Sequence, residues 1–386
     1  MLQLSELPPL SLYIHVPWCV RKCPYCDFNS HASPSGIPEE AYLKALINDF
    51  DLDLNLYLKN SQERPLRSIF IGGGTPSLLS PQFYRSLLEH IKSKMPWADD
   101  IEITMEANPG TVEQSSFEGY RKAGINRLSM GIQSFDDQKL KSLGRIHNSA
   151  EAQKAITVAR QSGFDNFNLD LMHGLPGQSE EEALQDIEIA LSFKPPHLSW
   201  YQLTIEPNTE FYNRPPQLPE DDALWQIQES GQALLKHHKL QQYEISAYAT
   251  EGQRAQHNLN YWQFGDYIGI GAGAHGKITQ LNTGEPLIKR YQKTRQPDAY
   301  LNRIGHYNAS SNILQPEDLP LEFLMNVLRL NNGVKEALYS ERTGLPIETL
   351  EPVLSQVRKD GLIETTRLQA TEKGLLFLNP LLDRFL

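Results

Sequence analysis

Residues 12–28 read LYIHVPWCVRKCPYCDF, and the organisation of the whole chain can be worked outward from them. A short β-rich run at 12–16 leads directly into Cys19, Cys23 and Cys26, so the CxxxCxxC spacing falls on the loop after a first strand. Three thiols within eight residues cannot staple a chain of 386 residues, but they can surround a metal centre. A [4Fe-4S] cluster ordinarily takes four thiolates, and three leave one iron open to another ligand. The competing reading is zinc, which wants four ligands and must recruit His15 or His31. A third, a set of inert buried thiols, has to explain why the cysteines cluster.

Beyond the first strand, apolar β-rich runs at 68–71, 101–105, 127–130, 167–172 and 197–204 alternate with amphipathic stretches at 39–58, 81–93, 114–123, 150–162 and 180–192. Ser80 before Pro81, and Ser179 before three glutamates, suit helix starts, where a capping oxygen and negative charge meet exposed N–H groups. The repeated β/α order predicts an α/β fold, a parallel sheet of six strands wound as a partial (β/α)6 barrel. The cysteine loop then lies at the C-terminal end of the barrel, where such folds carry chemistry.

Composition changes at 206–219 and 305–316 divide the chain into a core at 1–215, a connecting region at 216–310 and a C-terminal α+β unit at 311–386. The last, with helices followed by a turn and short strands, has the order of a winged helix. Residues 317–386 hold eleven Asp and Glu against eight Lys and Arg, and the chain carries a net charge of −11. Nucleic-acid affinity comes largely from cations displacing counterions, so this unit is expected to pack or to cover the barrel mouth and a nucleic-acid partner is excluded. No run approaches the ~18 apolar residues of a membrane span, and the N-terminus has no basic stretch followed by an apolar one. A soluble protein of the reducing cytoplasm is expected.

Each later strand end supplies a chemical group. GGGTPS at 72–77, with Gly73, Gly74 and Thr75, removes Cβ atoms and lets the backbone approach a ligand. Glu106 in MEANPG, Gln133 in MGIQSF and Asp170 in NLDLMHGLPG follow, with Arg145 in LGRIH. Polar residues at the C-terminal ends of successive parallel strands converge on one cavity.

The cysteine spacing, Tyr25 beside the last cysteine and the glycine run resemble the radical S-adenosylmethionine (SAM) family. Tyr13, HVPWC, GGGTPS, EANPG, GIQSF, LGRIH, DLMHGLPGQ, YQLTIEPNT, YEISAYA and GIGAGAHG together resemble the coproporphyrinogen III dehydrogenase family, over nearly the whole chain. The resemblance implies a [4Fe-4S] cluster on the three cysteines and SAM on its open iron. It further implies Arg145 on the SAM carboxylate, Glu106 on the ammonium side, and Gln133 with Asp170 on the ribose. Two departures separate this sequence from the dehydrogenase: Phe28 stands where that enzyme carries a fourth cysteine, and only eighteen residues precede the cluster. HNLNYW at 257–262 instead resembles the HNxxYW sequence of the family's heme-chaperone branch. That branch implies heme as a ligand and heme-acceptor proteins such as respiratory enzymes, at a membrane surface, as partners. His257 would bind the heme iron while Tyr261 and Trp262 face the macrocycle. Oxidative decarboxylation of coproporphyrinogen III is the alternative, and a homodimer is left open.

Overall fold

A computed structural model describes residues 2–33, 36–58, 64–111, 114–281 and 286–386. Six strands, β1 (Leu10–Val16), β2 (Leu66–Gly73), β3 (Trp97–Ala107), β4 (Arg127–Gln133), β5 (Phe167–His173) and β6 (His197–Gln202), pair in parallel in chain order. Their burial is nearly continuous because helices cover the outer face while the inner face lines the barrel, where residues such as Ser129, Asn168 and Asp170 alternate with apolar neighbours. Helices at Glu39–Tyr57, Pro81–Lys94, Gln114–Ala123, Ser149–Gln161 and Glu180–Ser192 make the crossovers. Ser80 caps its helix by accepting from the Phe83 N–H, and Ser179 with Glu182 closes a capping box. Each such cap stabilises its helix by about 1 kcal/mol. A further box, Asn148 with Glu151, starts the helix after β4.

The sheet extends beyond the six expected strands. Four more, β7 (Gln241–Glu244), β8 (Ala247–Ala249), β9 (Asp266–Ile270) and β10 (His275–Gln280), join β11 (Leu287–Lys293) and β12 (Asn308–Ile313). The order is β12-β11-β10-β9-β1-β2-β3-β4-β5-β6-β8-β7, an open, partial barrel. β9 pairs in parallel with β1, while β10 to β12 continue antiparallel from it and β8 runs antiparallel to β6. The helix Gln256–Trp262 packs against β1, β2 and β9.

The C-terminal helices Leu319–Val327, Ala337–Thr343 and Val353–Lys359 gather their own apolar cluster around Phe323, Tyr339 and Leu354, joined by short bridges at Val334–Leu368 and Ile363–Ala370. Leu2, Leu4, Leu259 and Phe264 pack on this cluster. Residues 2–4 precede β1, so the C-terminal unit sits toward the N-terminal end of the barrel. The expectation that it covers the barrel mouth is corrected: the apolar face of Leu319–Val327 is satisfied by Phe264 and its neighbours, away from the cysteines. Among the described residues, no helix is long and apolar enough to cross a membrane.

Candidate functional site

At the C-terminal end of the barrel, one cavity of about 430 Å³ receives the three cysteines from the loop after β1. β2 contributes Gly73 and the turn beyond it Gly74 and Thr75; β3, β4 and β5 contribute Glu106, Gln133 and Asp170. Arg145 enters from the loop after β4, and Tyr25 from the cysteine loop itself. Eleven residues singled out from sequence therefore meet at one place. No residue beyond Ser246 lines it among the described residues.

The glycine run is there for two reasons. A Cβ on Gly73 would lie 2.5 Å from the His15 ring, and one on Gly74 would lie 2.4 Å from the Trp18 carbonyl oxygen, so only glycine lets the cysteine loop lie down on β2. The N–H groups of Gly74 and Thr75 donate to the carbonyls of Val16 and Trp18, both at 2.7 Å, and the Gly73 N–H donates to Glu106 Oε2 at 3.0 Å. With those donors engaged, the turn offers an incoming group acceptors rather than donors. That character suits an ammonium.

The carboxylates point the same way. Burial, reinforced by the charge of Asp170, pushes Glu106 up to about 7 against the help of the Gly73 N–H. Burial also raises Asp170, although Ser129 and Asn168 donate to it at 3.0 and 2.7 Å. Two acids raised in this way are a receptor for positive charge, and SAM carries both an ammonium and a sulfonium. Arg145 supplies the opposite pole. Its Nη2 donates to the Gly131 carbonyl at 2.8 Å, its Nη1 lies 3.7 Å from Cys23 Sγ, and its buried Nε has no partner. Gln133 reaches the cavity through a β-bulge in β4 and a left-handed φ of 69°, its Oε1 accepting from the Tyr201 hydroxyl at 2.9 Å.

Burial pushes the thiols of Cys19 and Cys26 up, and the Cys26 sulfur lies 3.8 Å from the Ser30 hydroxyl. Metal ligation would deprotonate them. Among the described residues, no three His, Cys, Asp or Glu side chains are gathered tightly enough to hold a single ion. The thiols instead share the wall of a wider cavity, an arrangement suited to a multi-iron cluster. The residues present therefore fit both a cluster and SAM.

Two sequence-singled residues lie elsewhere. Tyr13 points from β1 into a second cavity of about 560 Å³ and donates to His15 Nδ1 at 2.9 Å. His257 lines neither cavity and is only 2% exposed. Glu102 accepts from the N–H groups of Gln256 and His257, seating the helix so that His257 Nδ1 bonds the Ser68 hydroxyl at 3.0 Å. Its ring stacks on Phe70 at 5.0 Å and meets the edge of Tyr261 at 4.8 Å. Burial, and then Arg127, lower it to about 3, so it is neutral. Sequence reasoning assigned no role to Ser129, Ser199, Tyr201 or Glu244, which also line the first cavity. The strand-end rule could have reached Tyr201, because the run read at 197–204 already contains it and YQLTIEPNT follows on from there.

Residues 13–190 match the family model for the radical SAM superfamily, and 314–377 match that for the HemN C-terminal domain. Heme chaperone HemW of Haemophilus influenzae is 54% identical over 99% of both chains. The chain belongs to the HemW family. Heme chaperone HemW of Escherichia coli is 52% identical over 99% of this chain and all of that one, and the Bacillus subtilis HemW is 35% identical over 97% and 99%. The solved structure of coproporphyrinogen III oxidase (HemN) from Escherichia coli, described as a radical SAM enzyme, superposes with a TM-score of 0.81 at 22% identity, over 98% of this chain and 90% of that one. HemW proteins and that oxidase thus share a fold, and the fold itself does not separate their functions.

Proposed function

We propose that this protein is a heme chaperone: it holds a [4Fe-4S] cluster on Cys19, Cys23 and Cys26, binds SAM in the adjoining cavity, and takes up heme for delivery to acceptor hemoproteins such as respiratory enzymes. The observation that carries the reading is full-length identity of 54% and 52% to proteins named for that role. Phe28, 58% exposed at the cavity where the dehydrogenase has its fourth cysteine, supports it over porphyrinogen oxidation. Three free thiols suit the reducing cytoplasm.

In this reading Arg145 forks onto the SAM carboxylate, the carbonyl side of the glycine turn and Glu106 take the ammonium, and Asp170 with Gln133 holds ribose hydroxyls. Held by Cys19, Cys23 and Cys26, a reduced cluster would supply one-electron chemistry toward SAM, and the chain's part would be to orient both and exclude water. The test is anaerobic reconstitution with iron and sulfide, followed by heme titration and a coproporphyrinogen III assay with SAM and reductant in the same preparation. Stoichiometric heme uptake without porphyrinogen consumption is expected. Sustained porphyrinogen turnover without heme uptake would make the protein a dehydrogenase.

A further inference from the structure

The second cavity adjoins the first across Asp27, Phe28, Gly73 and Glu106, which line both. Tyr13, Tyr261 and Tyr267 give it aromatic walls, and His275 and Arg295 give it a nitrogen ligand and a cation. Its volume of about 560 Å³ lies within the ordinary range for ligand cavities, roughly 300 to 1,000 Å³.

The rim is built by close packing. Asn29, from the cysteine loop, donates through Nδ2 to the carbonyls of Ala272 and Arg295, both at 2.9 Å. Gly273, at φ +87°, passes so near that a Cβ would lie 2.2 Å from that amide nitrogen. GAGAHG is thereby clamped to the cluster loop, with His275 at the start of β10 on the cavity wall.

Hydrogen bonding sorts the histidines nearby. His15 accepts from the Tyr13 hydroxyl at Nδ1 and donates from Nε2 to the Asn29 carbonyl, each at 2.9 Å, so neither nitrogen is left for a metal. His257 has a buried Nε2 without a partner, but Phe70 and Tyr261 close over the ring and neither cavity is lined by it. His275 is exposed on the wall and, among the described residues, its ring makes no hydrogen bond. A neutral imidazole of this kind is an ordinary heme-iron ligand.

We infer that the second cavity is the seat of the heme cargo, with the iron bound to His275, the macrocycle against Tyr261 and Tyr267, and a propionate on Arg295. The inference rests on the chaperone reading and moves the iron ligand out of HNLNYW, which then contributes an aromatic face through Tyr261. Tyr rings offer that face at little entropic cost, and a guanidinium pairs with a carboxylate through two parallel hydrogen bonds. Heme would lie beside the SAM cavity without occupying it.

The test is heme titration of the reconstituted full chain, read by absorbance and by the electron paramagnetic resonance of the ferric iron, for wild type, His275→Ala and His257→Ala. Expected are a nitrogen-ligated spectrum in wild type and His257→Ala, loss of that signature with at least about tenfold weaker binding in His275→Ala, and its return on adding imidazole. Should His275→Ala fail to fold, His275→Met keeps the wall filled and is expected to shift the spectrum toward a thioether ligand. An unchanged spectrum and affinity in the His275 variants, or loss confined to His257→Ala, would overturn the inference. A wild-type protein that takes up no heme would overturn the chaperone reading itself.

Discussion

Buried charge is handled in opposite ways in the parallel barrel and in the antiparallel strands that extend it. In the extension, Asp266 at the start of β9 meets Lys277 at 2.9 Å and Arg64 at 2.7 Å. Burial would raise its pKa, but the two cations more than offset it and hold the carboxyl below its ordinary value. Lys293 on β11 likewise touches Asp49 at 2.6 Å and Asp53 at 2.7 Å, although burial still keeps Asp53, sharing its one lysine, at about 7. In the barrel, Glu106 and Asp170 are half-buried on the cavity wall and are held by N–H and O–H donors, with no salt bridge to either among the described residues. Charge satisfied within the protein fastens strands, whereas charge left for a ligand marks a site.

The largest effect that sharpens this contrast is expected at the cysteines. Replacing any one of Cys19, Cys23 or Cys26 by Ser should abolish retention of the cluster, measured as iron and acid-labile sulfide per chain, while the circular dichroism of the apo-protein stays unchanged. Asp266→Ala should do the reverse. Leaving Lys277 and Arg64 buried without their partner is expected to cost about 3–5 kcal/mol in urea unfolding, with cluster content per folded molecule unaltered. If that variant lost the cluster without losing stability, the division between the two regions would fail.

Arg145→Lys keeps the charge and removes the fork. It should weaken SAM binding by about ten- to hundredfold in calorimetry, the worth of a charge-assisted hydrogen bond of roughly 1.5–3 kcal/mol. The smallest effect is pH dependence. Glu106, at about 7 in the fold, is protonated below that pH and cannot neutralise an ammonium. SAM affinity should therefore rise with pH through about 7 and level off above it, and Glu106→Gln should flatten the rise. The same raised pKa means that the folded apo-protein binds a proton the unfolded chain releases near 4.5. Its contribution to stability is thus present at low pH and lost as pH climbs toward about 7.

The contrast also explains what was legible in the sequence. The barrel announces itself because short β-rich runs alternate with amphipathic helical stretches, and because polar residues on those strands carry the site: Glu106 and Gln133 fall at strand ends, and Asp170 lines the cavity from the middle of β5. β10 and β11 read HGKITQ and LIKRYQK, and their lysines look like solvent-facing residues; Lys277 and Lys293 are each 1% exposed because buried aspartates receive them, Asp266 from the neighbouring strand for the first and Asp53 from far up the chain for the second. Such pairing across 240 residues leaves no local signal. His257 was drawn to the site by its motif, but Glu102 and Ser68, which seat it under Phe70, belong to strands whose register is fixed only in the folded sheet.

Delivery tests the central claim most directly. Heme-loaded, cluster-reconstituted protein would be mixed anaerobically, with SAM, with an apo-hemoprotein of a respiratory enzyme, and the acceptor's absorbance spectrum followed against free heme at equal concentration. The chaperone account predicts transfer that goes to completion and outpaces non-specific loading. Heme that stays bound, or an acceptor filled no faster than by free heme, would contradict it.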